Sequence, residues 1–321
     1  MMTDSSLPNI LLLESITKEA LDLLASTTHI IEAPSPDRGD EVIGSHEIHG
    51  IVTRGKGRVD TALIDACEGL RVIARCGVGL DNVAVEHATS KGIKVINAPG
   101  SNADTVAEHT LALMLTAQRK MVDSITSVNA GRWSDRKHYA GDELRTKTLG
   151  IIGMGDIGKR VGHLAKAFGM NVIYFNRSKL EAPYVQVALE VLLRDAHIIS
   201  IHLPLTDETR GLLTATSFIE NPHRPILINT ARGGIISDKE LISALEQGSI
   251  SAFAGDVLAT EPPAPDSPLL KMDNVYVTPH SASLTTLTYN EMCVLTVQHL
   301  VDVLSGKTID PRYVFNKDGL S

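Results

Sequence analysis

A chain of 321 residues is long for one domain and divides naturally into two. With 43% apolar and 21% charged residues it has the composition of an ordinary globular protein with ample core. Its net charge of -8, from 30 basic and 38 acidic side chains, argues against a nucleic acid or an anionic membrane as partner, since either calls for a basic patch. No apolar run reaches the roughly 20 residues of a membrane span. The opening residues lack a basic segment and Ile10–Leu13 is cut short by Glu14, which is not a secretory leader pattern. Cys67, Cys76 and Cys293 have neither CxxC nor metal-ligand spacing, so a cytoplasmic protein without a metal site is expected.

From residue 9 to 97, short β-rich runs alternate with helix-length segments. Ile10–Leu13, Ile48–Thr53, Arg71–Arg75 and Ile93–Asn97 read as strands, and Thr17–Ser26, Ala62–Cys67 and Val83–Lys91 as helices. That rhythm predicts a parallel sheet covered by helices. Asn97-Ala98-Pro99-Gly100 breaks the pattern as a hinge. Asp104–Val128 reads as one long helix, apolar enough to pack between domains or subunits. Residues 129–147 are polar, carry the single Trp133, and read as an arm covering a neighbouring subunit. Alternation resumes with strands at Leu149–Ile152, Asn171–Phe175, Ile198–His202, Ile226–Asn229, Ala252–Asp256 and Val275–Val277. The last long helical pattern, Leu284–Leu304, crosses back to the first domain. The expected division is residues 1–98 plus 287–321 as a substrate domain and 99–286 as a dinucleotide-binding domain.

The densest signal is Thr148–Gly158. A buried strand runs into Gly153-x-Gly155-x-x-Gly158, with Asp156 and Ile157 between the last two glycines, and an amphipathic stretch, Lys159–Phe168, follows. Gly153 allows the tight turn, Gly155 lets backbone approach a pyrophosphate, and Gly158 lets helix pack on strand. The helix start turns free N–H groups toward phosphate. About 20 residues on, a carboxylate would mark NAD by accepting from the ribose 2′-hydroxyl. Asn176 stands there instead, followed by Arg177 and Ser178, so a 2′-phosphate meets no repulsion and finds a guanidinium and a hydroxyl. This favours NADP, with NAD the other candidate.

A second glycine pair lies in Arg75–Asn82, where backbone N–H groups at Val78 and Gly79 form either a carboxylate-binding concavity or simply a tight turn. Asn229–Gly234 and Gly255-Asp256-Val257 follow apolar strands at their carboxyl ends, where open α/β sheets bind ligands; Glu261 and Thr278-Pro279-His280 come next. An arginine, a carboxylate and a histidine suit reduction of a 2-oxo acid. The arginine clamps the substrate, the histidine protonates the carbonyl oxygen, and the carboxylate keeps the imidazole charged and aimed.

The ordered set Arg75–Asn82, Asn97–Asn102, Gly153–Gly158, Thr230–Gly234, Asp256–Pro262 and Thr278–His280 resembles the D-isomer-specific 2-hydroxyacid dehydrogenases over residues 45–310. The resemblance implies two α/β domains with Rossmann-like or flavodoxin-like parallel sheets and an active-site cleft between them. It implies a catalytic set of Arg232, Glu261 and His280, and substrate contacts at Val78, Gly79 and Asn102. It places Thr230, Ala231, Leu203, Pro204 and Asp256 along the cofactor, Asp256 at the nicotinamide end, and a homodimer formed through the nucleotide domain. The expected activity is reduction of a small 2-oxo acid of the glyoxylate or hydroxypyruvate type. Gly131-Arg132-Trp133, Gly141–Leu144 and Arg54 look most like the phosphoglycerate dehydrogenase branch, where an arginine near Arg54 helps hold the substrate phosphate. D-3-phosphoglycerate dehydrogenase is therefore the alternative. The resemblance extends as well to NAD(H)-sensing corepressors.

Overall fold

The structure, a computed structural model, describes residues 7–320. The chain separates into two compact units, one formed by the described residues up to Asn102 rejoined from Leu284 onward, the other by Ala103–Ser283.

In the first unit β1 (Asn9–Leu12), β2 (His29–Glu32), β3 (Ile48–Thr53), β4 (Val72–Arg75) and β5 (Lys94–Ile96) form a five-stranded parallel sheet in the order β2-β1-β3-β4-β5. This is the flavodoxin-like order. Both faces are covered, which is why the strands read as continuous apolar runs. Leu11, Ile51, Ile73 and Val95 point into one core with α2 (Thr61–Ala66) and α3 (Val85–Ser90). Their neighbours Ile10, Val52, Val72 and Ile96 point the other way, against α1 (Lys18–Ala25) and α9 (Thr286–Leu304). Successive side chains alternate across a strand, so one sequence run fills two cores.

The second unit holds α4 (Ala103–Gln118), α5 (Met121–Asn129), β6 (Thr148–Ile152), α6 (Asp156–Ala167), β7 (Asn171–Phe175), β8 (Val185–Gln186), α7 (Leu189–Asp195), β9 (Ile198–Ile201), β10 (Ile226–Asn229), α8 (Asp238–Glu246), β11 (Ala252–Gly255) and β12 (Val275–Val277). Its seven strands, all parallel, run in the order β12-β11-β10-β9-β6-β7-β8. The chain winds outward from β6 through β7 and β8, then restarts at β9 on the other side. That reversal is the switch point at which Rossmann sheets bind ligands, outside the carboxyl ends of the strands. Leu149, Ile151 and Ile228 face the core under α4 and α6, and Ile152, Ile201 and Leu227 face the core under α7 and α8.

The expected single helix over Asp104–Val128 is two helices. Lys120 adopts a left-handed φ of 49°, which ends α4 and turns the chain into α5. The two halves differ in what they bury. α4 buries Val106, Ala107, Thr110, Leu113, Met114 and Ala117, whereas α5 buries nothing. Beyond the expected strands the sheets hold β2 and β8: neither has a fully buried residue, and β8 is only two residues long. The helix expected from Lys159 begins at Asp156, so Gly158 lies within its first turn.

Met114 is fully buried under the second sheet. Met114→Ala should lower unfolding free energy by about 2–5 kcal/mol, read as a lower denaturant midpoint at unchanged slope. A loss under about 1 kcal/mol would mean that α4 is not part of this core.

Candidate active site

The glycine loop joins β6 to α6. Gly153 has a φ of 99°, and a Cβ there would lie 2.5 Å from the His202 carbonyl oxygen. Gly158 is pressed against the Gly153 carbonyl. At Gly155 a Cβ would meet nothing within 4 Å, so the loop is open at the position where backbone must come close to a ligand. Gly155 caps α6 without a side-chain hydrogen bond, leaving the first-turn N–H groups of Asp156 and Ile157 available to an anion. Leu203, after β9, packs beside Gly153, and the Pro204 carbonyl accepts from Thr209 Oγ1 at 2.6 Å.

At the end of β7 the side chain of Asn176 is committed to its own turn. Its Nδ2 donates to the Ser178 carbonyl at 3.1 Å and lies 3.3 Å from Ser178 Oγ. Gln186 of β8 closes the turn, donating to the carbonyls of Asn176 at 3.0 Å and Ser178 at 3.2 Å. Arg177 and Ser178 are exposed at its rim. Hydrogen bonds from Thr206 and from its own backbone N–H, with the positive charge of Arg177, hold the Glu208 carboxyl below its usual range.

The loop after β10 is folded by a buried amide. Asn229 Oδ1 accepts from Ala231 N–H at 3.0 Å and its Nδ2 donates to the Arg232 carbonyl at 3.0 Å. The Arg232 side chain starts from this clamp and donates from Nη1 to the Ala231 carbonyl at 2.7 Å. Thr230 is buried at the loop's base.

Asp256 follows β11 and is only 2% exposed. A buried carboxylate needs donors, and the segment after β12 supplies them. Thr278 Oγ1 donates to Oδ1 at 2.6 Å, Ser281 N–H to Oδ1 at 2.8 Å and Ala282 N–H to Oδ2 at 2.8 Å. The Asp256 backbone carbonyl also accepts His280 N–H at 3.0 Å. His280 is thus held on both sides, in a left-handed conformation with φ of 53° that a β-carbon residue keeps only where the surroundings enforce it.

Held in this way, His280 Nδ1 lies 2.7 Å from Glu261 Oε2, and Glu261 Oε1 accepts from Leu258 N–H at 2.9 Å. The hydrogen bond to Glu261 raises the His280 pKa above its ordinary value, against an opposing effect of burial. Burial alone would push the Glu261 carboxyl up, but hydrogen bonds from His280 and Leu258 N–H and the charges of His280 and Arg232 together bring it below its usual value. Both shifts favour the imidazolium–carboxylate form of the pair, and His280 Nε2 is free of the Glu261 contact.

In the first unit the loop after β4 is braced from the segment that follows β5. Asn97 Nδ2 donates to the Val78 carbonyl at 2.7 Å and Ala98 N–H to the Gly77 carbonyl at 2.8 Å. Val78, Gly79 and Asn102 are each half-buried. Arg54 leaves β3 toward Glu14, whose Oε2 accepts from the N–H groups of Arg54, Lys56 and Gly57 at 2.8, 3.1 and 2.8 Å. The Arg54 guanidinium donates to the Ser15 carbonyl at 3.3 Å and lies over the Tyr289 ring at 4.5 Å. No group of histidine, cysteine and acidic side chains among the described residues could hold a metal ion.

Within the second unit the structure brings together Arg232, Glu261, His280 and Asp256, and separately Gly153–Gly158 with Leu203. Reading histidines one at a time passed over His109 of α4, whose Nε2 lies 2.9 Å from Thr278 Oγ1. No spacing rule connects a residue of α4 with the segment after β12.

Residues 111–282 match the family described as D-isomer specific 2-hydroxyacid dehydrogenase, NAD binding domain. A D-3-phosphoglycerate dehydrogenase of Archaeoglobus fulgidus is 38% identical over 92% of this chain, and the chain spans 57% of that relative's length. A glyoxylate reductase of Aeropyrum pernix is 38% identical over 96% of both chains. Among solved structures, the NADPH-dependent glyoxylate/hydroxypyruvate reductase of Sinorhizobium meliloti, in complex with NADP and malonate, matches with a TM-score of 0.86 at 28% identity, covering 94% of each chain. A Rossmann-ordered sheet, a glycine loop at its switch point and a Glu261–His280 pair beside Arg232 are thus joined by likeness over nearly the full length, and the chain belongs to the D-isomer-specific 2-hydroxyacid dehydrogenase family.

Proposed function

We propose that the protein reduces a small 2-oxo acid of the glyoxylate or hydroxypyruvate type to the D-2-hydroxy acid with a nicotinamide cofactor. The observation that carries this reading is the 2.7 Å contact between His280 and Glu261, on segments at the carboxyl ends of β11 and β12. The open surface at Gly155 and the uncapped start of α6 fit a dinucleotide pyrophosphate, with Thr230 and Ala231 lining its nicotinamide half. When bound, the nicotinamide supplies the hydride. Arg232 binds the substrate carboxylate and carbonyl, polarising C2. His280 Nε2 gives its proton to the carbonyl oxygen as negative charge develops there, and Glu261 stabilises the imidazolium until that moment. Backbone at Val78 and Gly79, with Asn102, is the proposed substrate-binding element of the first unit.

His280→Ala should lower turnover about 10²- to 10⁴-fold. The proton donor is the charged imidazole, so reductive kcat/KM should hold steady at low pH and fall as pH rises through the raised His280 pKa. Glu261→Gln removes the main cause of that rise and should move the fall to lower pH. A profile that ignores both substitutions would assign the acid elsewhere.

For the cofactor, Arg177 and Ser178 at an exposed turn with no carboxylate at position 176 support NADP, as does the likeness to an NADPH-dependent reductase. Arg177→Ala should raise KM for NADPH at least about tenfold while leaving NADH within about twofold. Equal losses would remove the 2′-phosphate contact from the reading. Two findings bear on the acid itself. The engagement of Arg54 with Ser15 and Tyr289 favours an unphosphorylated substrate, whereas the identity to D-3-phosphoglycerate dehydrogenases favours 3-phosphohydroxypyruvate. Comparing kcat/KM for glyoxylate, hydroxypyruvate and 3-phosphohydroxypyruvate decides between them.

The partner surface is α5. Met121, Val122, Ile125 and Val128 are all exposed, and Trp133 beyond them is 65% exposed, an apolar stripe suited to a second copy of this chain. Sedimentation should show a dimer for the parent protein and a monomer for Ile125→Asp. A parent monomer at micromolar concentration would dismiss the dimer. No described helix is long and apolar enough to cross a membrane, and the buried free thiols of Cys67, Cys76 and Cys293 suit a reducing compartment such as the cytoplasm.

A further inference from the structure

His109 and Thr110, consecutive residues in the second turn of α4, each touch a different segment of the site. Proton counting fixes the direction of the first contact. Thr278 has one hydroxyl proton, and its Oγ1 lies 2.6 Å from Asp256 Oδ1, which as a carboxylate can only accept. The Gly255 carbonyl, at a longer 3.4 Å, can also only accept, so His109 Nε2 at 2.9 Å must donate. His109 Nε2 is also 3.7 Å from Asp256 Oδ1. A directed chain results, from His109 through Thr278 to Asp256, and Asp256 in turn holds Ser281 N–H, Ala282 N–H and, by its backbone carbonyl, His280 N–H. The second contact has the same logic. Thr110 Oγ1 donates to the Val106 carbonyl at 2.7 Å, so at 2.8 Å from Thr230 Oγ1 it accepts. One turn of α4 thereby ties the base of the loop that carries Arg232 and the base of the segment that carries His280.

We infer that His109 is a positioning residue of the active site: its Nε2–H, acting through Thr278 and Asp256, fixes the segment on which His280 meets Glu261. The inference rests on His280 being the proton donor. His109 itself touches none of the reacting groups. Its effect is geometric, and geometry at this scale matters because displacement of a catalytic group by about 1 Å costs on the order of a hundredfold in rate. A ring without a donor would fill the space of His109 and leave Thr278 Oγ1 short of a partner. A glutamine amide would restore a donor at a similar reach.

The test compares His109→Phe with His109→Gln in the full-length protein, by two readouts. One is the imidazole titration of His280 in ligand-free protein by NMR, assigned with His280→Ala. The other is kcat for reduction of glyoxylate and hydroxypyruvate. The charged groups facing His280, which are Glu261, Asp256 and Arg232, stay in place in both variants. His109→Phe should move the His280 titration down toward the ordinary imidazole range and lower kcat roughly ten- to hundredfold, with KM for the cofactor within about twofold. His109→Gln should keep both close to the parent. The inference is overturned if His109→Phe leaves the titration and kcat unchanged, and equally if the two variants lose both alike, since packing would then be the cause. A parent protein that reduces neither acid, with the His280 titration still shifted in His109→Phe and restored in His109→Gln, would end the functional reading and leave the positioning role standing.

Discussion

The arrangement of the site follows from one constraint, that a carboxylate buried to 2% exposure must be satisfied by hydrogen bonds. Asp256 cannot sit after β11 unless the chain beyond β12 brings back a hydroxyl and two peptide N–H groups. Drawing those donors inward forces a tight loop, and His280 is the residue at its crest, with a positive φ of 53°. The conformation would be unfavourable by about 1 kcal/mol or more in isolation. It persists because releasing it would leave a buried charge unpaired, which is worse. The aim of the His280 imidazole is thus a by-product of satisfying a neighbouring carboxylate.

Glu14 solves the same problem in the first unit on the surface side. Its Oε2 gathers N–H groups of the turn after β3, fixing where Arg54 leaves the strand. Burial alone pushes the Glu14 carboxyl up, but those backbone hydrogen bonds and the Arg54 charge bring its pKa below the ordinary value, so it is a dependable acceptor at neutral pH. In both units a carboxylate, rather than a run of regular structure, sets the shape of a loop that ends a strand. Strand ends are where a parallel sheet leaves its backbone groups unpaired, and a side chain with two oxygens can collect several of them.

How much of this could be read from residues alone depended on whether the cause was local. Gly153, Gly155 and Gly158 announce a strand–turn–helix because each acts within a few residues of itself, and their three distinct surroundings match three distinct requirements. The parallel character of both sheets was legible from runs such as Ile198–Ile201, whose neighbours all face buried cores. The break at Lys120 was not. Nothing in Asp104–Val128 disfavours a continuous helix, and the interruption comes from α4 being held in the core while α5 is not. Asn176 could be seen to replace an acid, but its engagement with Ser178, and that of Gln186 with both, depends on strand β8, which is too short to leave a signature. His109 belongs to the same class: its partner is fixed by tertiary structure, and a histidine on a helix says nothing of what it will face.

The return of the chain from the second unit to the first also governs the order in which the molecule can assemble. Val52, Val72 and Ile96 form a sheet face whose cover, Cys293, Val297 and Leu300 of α9, is encoded after the whole of the second unit. A nascent chain leaving the ribosome amino end first must carry that face without α9 while β6 to β12 are still being made, whereas the second unit, being continuous, can close as soon as Ser283 has emerged. The first unit therefore begins first and finishes last. During that interval its apolar strands are the part of the molecule most in need of a chaperone.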